Sequence, residues 1–193
     1  SATDSFTITV ANTNDAPTIS STAVTSATED AAYTYTVTAA DVDSGDTITL
    51  SGTTVPSWLT FTASTGVLAG TPANGDVGSN SVVITATDAA GATHSETVTI
   101  AVNAAPTEIT LSNNSVDESY YGLEIGNINV TDPNVLDTFS YTLSGSDQNY
   151  FEVTADGILK LKDDVYADYE MKDSYSLTVT ATDLGGLSIE KTL

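Results

Sequence analysis

Apolar and polar residues alternate along most of this chain. Phe6, Ile8 and Val10 are separated by threonines, and the same period of two runs through Tyr33, Tyr35 and Val37. It returns at Val82, Ile84 and Ala86, at Val98, Ile100 and Val102, and at Tyr175, Leu177, Val179 and Ala181. Such a period puts one set of side chains on each face of a pleated strand. Threonine fills many of the outward positions, which suits a half-solvated sheet face. A strand is expected over each stretch, the first at residues 5–11. No segment has the period of an amphipathic helix. The runs are short and are broken by Gly, Pro, Asn and Asp, so the fold expected is all-β, built of antiparallel sandwiches.

The strands come in two matching sets. "APTIS" at Ala16 returns as "APTEI" at Ala105, and "TATDAAG" (Thr85–Gly91) returns as "TATDLGG" (Thr180–Gly186). "DSGDTITL" (Asp43–Leu50) matches "NVLDTFSY" (Asn134–Tyr141). Asp46 precedes the glycine of "GVL", Gly66, by 20 residues, and Asp137 precedes Gly157 of "GIL" by the same 20. An internal repeat of this kind sets the domain count. Two modules are expected, 16–104 and 105–193. Residues 1–15 are expected to be the last strand and linker of a truncated preceding module. "SIEKTL" matches only the start of "THSETVTIAV", so the final strand of the second module is expected to be cut short and its sheet edge partly unpaired.

Charge narrows the partners. The 193 residues carry 26 acidic side chains against 4 basic ones, for a net charge of −22. The basic residues are Lys160, Lys162, Lys172 and Lys191, all late in the chain. Nothing is available to neutralise phosphates, which excludes nucleic acid, and anionic membranes for the same reason. A content of 40% hydrophobic residues in periodic order argues against an acidic disordered tail. There is no cysteine, hence no disulfide, and no apolar run long enough to cross a membrane. No insertion of this segment into a membrane is expected.

The acids recur at matched places. In the first module they are Glu29, then Asp41, Asp43 and Asp46 of "DVDSGD", then Asp88. In the second they are Glu118 of "SVDES", then Asp132, Asn134 and Asp137, then Asp183, with Asp168 and Glu170 of "ADYE" added. Connections collect at the ends of a sandwich, where such acids can converge. Converging carboxylates repel, and a hard cation relieves this by taking several oxygen ligands. Softer metals want His or Cys, and the chain offers only His94. Isolated acids would be a solvated surface, but acids repeated at matched positions favour Ca²⁺. "DVDSGD" also looks like the start of a helix–loop–helix calcium loop, but the twelfth position is Gly52, where a bidentate Glu is required, and no helices flank it.

The second module resembles a cadherin repeat. The carriers are "SVDES" with Glu118, "DPN" (Asp132–Asn134), "DYE" (Asp168–Glu170) and "ATD" ending at Asp183. The first module is similar to the dystroglycan-type cadherin-like modules of large bacterial adhesins, through "TED" (Glu29), "DVDSGD", "PSWLTFTASTGVLAGTP" and "ATDAAG". "NTNDAP" looks like an inter-module linker of that superfamily. The resemblance implies tandem Ig-like, cadherin-like Greek-key sandwiches in an elongated arrangement, with calcium at the junctions. At the first junction Asn12, Asn14 and Asp15 would join Asp41, Asp43 and Asp88. At the second, Glu29 would meet Asp132, Asn134 and Asp183, with Asn103 from the linker. Glu118, Asp168 and Glu170 would face a third. "VNAAP" (Val102–Pro106) is three residues shorter than "VANTNDAP" (Val10–Pro17) and lacks its Asn-Asp pair, Asn134 replaces an acid, and the first module has no D-x-E, since Asp76 does not align. Fewer charged ligands imply weaker binding at the second junction.

Three other features carry two readings each. Trp58 of "PSWLTF" is either a sugar-stacking platform or core, with Leu59 and Phe61 of the same run favouring core. Tyr120 and Tyr121 are adjacent, so at least one should face outward. His94 is expected to be a solvated strand residue. One histidine and no supporting motif argue against a nucleophilic triad, and a carboxylate set in every repeat argues against a glycosidase, which needs one site. No enzyme is expected. The function expected is a calcium-stiffened, extracellular segment of a bacterial cell-surface adhesin, partnered by the neighbouring repeats of its own chain. The alternative is calcium-dependent binding of polysaccharide or of like modules on another cell.

Overall fold

The computed structural model describes residues 6–193. Ser5, where the first strand is expected to begin, and the start of the 1–15 segment lie outside the described residues. The chain divides into two compact units. One takes in the chain up to Pro72 together with Ser79–Ala101, the other Ala73–Gly78 together with Val102–Leu193.

The strands of the first half are β1 (Thr18–Ile19), β2 (Ser26–Thr28), β3 (Tyr33–Thr36), β4 (Ala39–Ala40), β5 (Thr49–Thr54), β6 (Leu59–Thr62), β7 (Val67–Gly70), β8 (Gly78–Thr87) and β9 (Thr93–Asn103). They form a four-stranded sheet in the order β2-β9-β8-β5, a three-stranded sheet β3-β7-β6, and the short pair β1-β4. The alternating apolar positions face inward as the period requires. Tyr33, Tyr35 and Val37, Val82, Ile84 and Ala86, and Val98, Ile100 and Val102 are all buried, with Leu59 and Leu68 between them. Burying each large aliphatic side chain contributes about 1.5–3 kcal/mol.

The second half repeats the plan with β10 (Glu108–Leu111), β11 (Glu124–Thr131), β12 (Ser140–Ser144), β13 (Phe151–Val153), β14 (Ile158–Leu161), β15 (Thr178–Thr182) and β16 (Ser188–Thr192). Here the sheets are β10-β11-β14-β13 and β12-β15-β16. Ile109, Ile125, Ile128, Phe151, Leu159, Leu161, Leu177 and Val179 form the core. The described residues contain two short 3₁₀ turns, Asn74–Asp76 and Gln148–Tyr150.

The repeat extends to backbone geometry. Gly66 and Gly157 both have positive φ, +70° and +78°. Each accepts through its carbonyl the N–H of a core residue, Val37 and Ile128 respectively, at 2.8 Å. A Cβ on Gly66 would lie 2.3 Å from the Val37 carbonyl oxygen, so only glycine fits. The residue after each repeated glutamate, Asp30 after Glu29 and Ser119 after Glu118, is also left-handed, at +57° and +70°.

Two expectations are corrected. Phe6–Ala11 forms no strand, and Phe6, Ile8 and Val10 are 84, 78 and 88% exposed. The alternation is present, but a strand is stabilised by its ladder, and these residues pair with none of the described strands. The strand expected from Tyr175 begins only at Thr178. Leu177 is buried, yet the residues before it have no ladder partner.

Candidate metal centres

In each half, one turn gathers three aspartates. Asp41 ends the stretch after β4, and Asp46 N–H donates to the Asp43 carbonyl at 3.2 Å, turning the chain back. Asp88 stands at the end of β8, where the hairpin to β9 is closed by Ala92 N–H donating to Asp88 Oδ1 at 2.8 Å. Carboxylate oxygens of Asp41, Asp46 and Asp88 all lie within 4.8 Å of one another. The second half builds the same group from Asp132, Asp137 and Asp183, again within 4.8 Å. Asp137 N–H donates to the Asn134 carbonyl at 2.9 Å, and Leu187 N–H donates to Asp183 Oδ1 at 2.8 Å.

Three of these carboxylates are short of donors. Asp88 and Asp183 are buried. Asp41 Oδ2, Asp132 Oδ2 and Asp137 Oδ2 are buried atoms with no hydrogen-bond partner. A buried polar atom without a partner costs about 1–3 kcal/mol. Burial, and then the charges of Asp41, Asp88 and Asp43, pushes the Asp46 carboxyl up from its ordinary value. Burial, followed by Asp132 and Asp183, raises Asp137 in the same way. An all-oxygen set with orphaned lone pairs and raised acids is chemically suited to a hard divalent cation.

The linkers are fastened beside the triads. Asn12 Nδ2 donates to Asp43 Oδ1 at 2.5 Å, Asp15 N–H to Asp43 Oδ2 at 2.7 Å, and Asn14 Nδ2 to Asp88 Oδ2 at 2.8 Å. The Asn12 amide, then the Asp15 N–H, holds Asp43 below the usual carboxylate range, and the Asn14 amide does the same for Asp88. In the second half Asn103 Nδ2 donates to Asp183 Oδ2 at 3.0 Å. Asn134 Oδ1 accepts from Ala104 N–H at 2.8 Å, and Asn134 Nδ2 donates to the Val102 carbonyl at 3.1 Å. Asp43 and Asn134 thus take equivalent places, each gripping the linker backbone. Asn134 stands where an acid would be because it also donates. Each is hung from the preceding acid, with Asp43 N–H on Asp41 Oδ1 at 2.9 Å and Asn134 N–H on Asp132 Oδ1 at 2.7 Å.

Glu118, Asp168 and Glu170 lie apart from the triad of their own half. Glu118 Oε2 accepts Tyr169 N–H at 3.2 Å, and Asp168 Oδ1 accepts Met171 N–H at 3.1 Å, so the "ADYE" loop folds around Glu118. Glu170 is exposed. Glu29, at the equivalent place in the first half, is half-buried. Neither glutamate belongs to the triad of its own half. Asp46 and Asp137 complete the triads although D-x-D and "ATD" spacing does not pick them out. Their signal was the shared 20-residue offset to the turn glycine.

Asp147 was also unforeseen. It is buried, is bridged by Lys172, and accepts Ser176 N–H at 2.7 Å. The Lys172 ammonium lies 5.0 Å from the Tyr175 ring centroid and 5.9 Å from that of Tyr150. Trp58 is half-buried, edge-on to Tyr33 at 5.7 Å, with its indole N–H on Asn80 Oδ1 at 3.0 Å. That favours packing over a sugar platform. Tyr120 and Tyr121 are both exposed, and His94 is an exposed residue of β9.

Residues 16–103 match the family described as "Putative Ig domain". No curated protein matches the chain. Among solved structures, the chain is similar to protocadherin gammaB7 EC3-6 in a cis-dimer structure, with 23% identity over 93% of this chain and 47% of that one, at a TM-score of 0.51. Extracellular cadherin domains 1-4 of protocadherin gamma B7 match at 23% identity over 92% of this chain and 48% of that one, TM-score 0.49. Drosophila N-cadherin EC1-3 matches at 21% identity over 93% and 66%, TM-score 0.39. The chain spans less than half the length of the two protocadherin chains. Its fold is all-β, of the Ig-like and cadherin-like sandwich class.

Proposed function

We propose that this chain is a calcium-binding, cadherin-like repeat segment of a bacterial cell-surface adhesin. In this reading residues 1–15 close a preceding module, residues 16–104 are a dystroglycan-type module, and residues 105–193 are a cadherin-like module. The observation that carries it is the pair of matched aspartate triads, in which Asp41, Asp132 and Asp137 each leave a buried carboxylate oxygen without a donor. Asp41, Asp46 and Asp88 would hold one ion, and Asp132, Asp137 and Asp183 another. Bound calcium supplies positive charge where the carboxylates repel, and it cross-links the turn, the hairpin end and, through the Asn and Asp clamps, the linker. In an array of such modules this would limit bending at the joints and turn a string into a rod.

Calorimetry on the whole chain tests this. The expected result is calcium uptake abolished by chelator, with thermal stability rising by about 2.7 kcal/mol at a calcium concentration 100 times Kd. No heat and no stabilisation at 10 mM calcium, about ten times the weakest Kd of extracellular modules, would overturn it. Small-angle scattering tests the stiffening, which requires the maximum dimension to fall on chelation.

A second reading rests on the exposed tyrosines of the second half. Tyr120, Tyr121, Tyr166 and Tyr169 are all exposed, and Tyr121 meets Tyr166 edge-on at 4.9 Å. Aromatic faces of this kind suit polysaccharide, and calcium-dependent glycan binding lost on Tyr121→Ala would favour that reading.

A further inference from the structure

We infer that the first unit binds a neutral saccharide, in a cleft beside Gly66 that continues onto an uncharged sheet face. Neither calcium nor the exposed tyrosines of the second half take part in it. The cleft measures about 560 Å³, within the span of small-molecule sites, roughly 300–1,000 Å³. Val37, Ile48 and Leu50 give it an apolar wall. Thr38, Thr49, Ser64 and Thr65, all exposed, bring hydroxyls to its lining. Every lining residue is uncharged, in a chain whose net charge is −22.

A difference between the repeats opens this cleft. The offset that matches Gly66 with Gly157 also matches Ile48 with Phe139, Leu50 with Tyr141 and Thr65 with Asp156. Leu50 Cδ1 lies 3.3 Å from where a Cβ on Gly66 would stand. The Tyr141 hydroxyl lies 3.3 Å from the same point at Gly157. In the second unit, then, a phenol ring reaches over the turn glycine and an acid precedes that glycine. In the first unit a shorter aliphatic side chain leaves space there, and a threonine borders it.

Thr49 joins the cleft to the outer face of the sheet β2-β9-β8-β5. It pairs with Thr87, and Ser51 pairs with Thr85. Thr85 Oγ1 lies 2.8 Å from Ser95 Oγ on β9. Thr97 and Thr99 continue the same side of β9, alternating with the buried Val98 and Ile100. These outward positions carry hydroxyls and no charge. A pyranose has the matching character. Its ring C–H groups can lie on Val37, Ile48 and Leu50, and its hydroxyls donate and accept as those of Ser and Thr do. An anionic ligand would meet the field of a strongly acidic chain with no cation in the lining to offset it. Each hydroxyl pair replaces bonds to water and contributes little, so one site should bind in the millimolar range.

The test is a titration of the 193-residue chain, in chelator, with cellohexaose, maltohexaose and mannohexaose, followed by amide resonances. Shifts at Thr38, Ser64 and Gly66 are expected with at least one of these neutral sugars. An oligogalacturonate of the same length should give none. Leu50→Tyr and Thr65→Asp each install the residue that the second unit carries, and each should weaken binding at least about tenfold. Thr65 is exposed, so Thr65→Asp keeps the fold. No shift at the cleft with any of the three sugars at about 10 mM, ten times a millimolar Kd, would overturn the inference. Equal binding of the oligogalacturonate would do the same, as would binding indifferent to both variants. Shifts confined to Tyr121 and Tyr166 would overturn it and favour the tyrosine surface instead.

Discussion

The side-chain amide of Asn103 donates to the carboxylate of Asp183, 3.0 Å away across a sequence separation of 80 residues. The same bond joins Asn14 to Asp88. An amide is required here because the carboxylate can only accept. Asn103→Ala should lower the unfolding free energy of the second half by about 1.5–3 kcal/mol, the range for a hydrogen bond to a charged group. Asn103→Asp should cost more in chelator, because it sets one carboxylate against another, and should recover partly in calcium. Urea denaturation in both buffers measures this.

Asp137 separates metal affinity from metal-free stability. It is crowded by Asp132 and Asp183, and its Oδ2 has no partner. Asp137→Asn should therefore raise the melting temperature in chelator and remove most of the calcium-induced rise. Asp46→Asn should act alike in the first half, where Asp41 and Asp88 crowd the acid. A fall in metal-free stability for both variants would contradict the account.

Much of this was legible beforehand. Alternation placed Val82–Ala86 and Val98–Val102 on inward faces, and the offset repeat located Gly66 and Gly157 at matching turns. Phe6–Val10 has the same alternation but no ladder, which a pattern along one chain cannot register. The acids were found as a group, but their division of labour was hidden. Asp43 and Asn134 accept linker N–H groups, a role set by contacts about 30 residues apart in sequence. Asp46 and Asp137 enter the triads only because a turn reverses the chain beneath them. Asp147 gave no signal, because its partner Lys172 and its donor Ser176 lie in a loop without regular structure.

Gly66→Ala should destabilise the first half severely. The left-handed conformation costs a Cβ-bearing residue about 1–2 kcal/mol, and the clash with the Val37 carbonyl adds to that. Differential scanning calorimetry should show the loss of one transition at lower temperature while the second half melts as before.

Acid stability should depend on Asp147. Its bond to Lys172, then that to the Ser176 N–H, holds its carboxyl below the usual range. With the folded value depressed, its contribution is complete above the unfolded value near 3.9 and is lost as pH falls through the folded one. Asp147→Asn should flatten the low-pH limb of the melting curve of the second half. Asp147 also holds the Lys172 ammonium above its ordinary range. That part of the stability is present below the unfolded lysine value and fades as pH rises through the folded one.

The linker clamps also decide how such a chain should be divided for bench work. Asn103 and Ala104 are bonded to Asp183 and Asn134, so they belong with the sequence that follows them. A fragment opened at Ala105 would discard the Asn103 amide and the Ala104 donor while keeping both of their acceptors. A fragment opened at Val102 would keep the joint intact, including the carbonyl that receives the Asn134 amide. By the same rule, a clone of the first repeat should begin no later than Asn12.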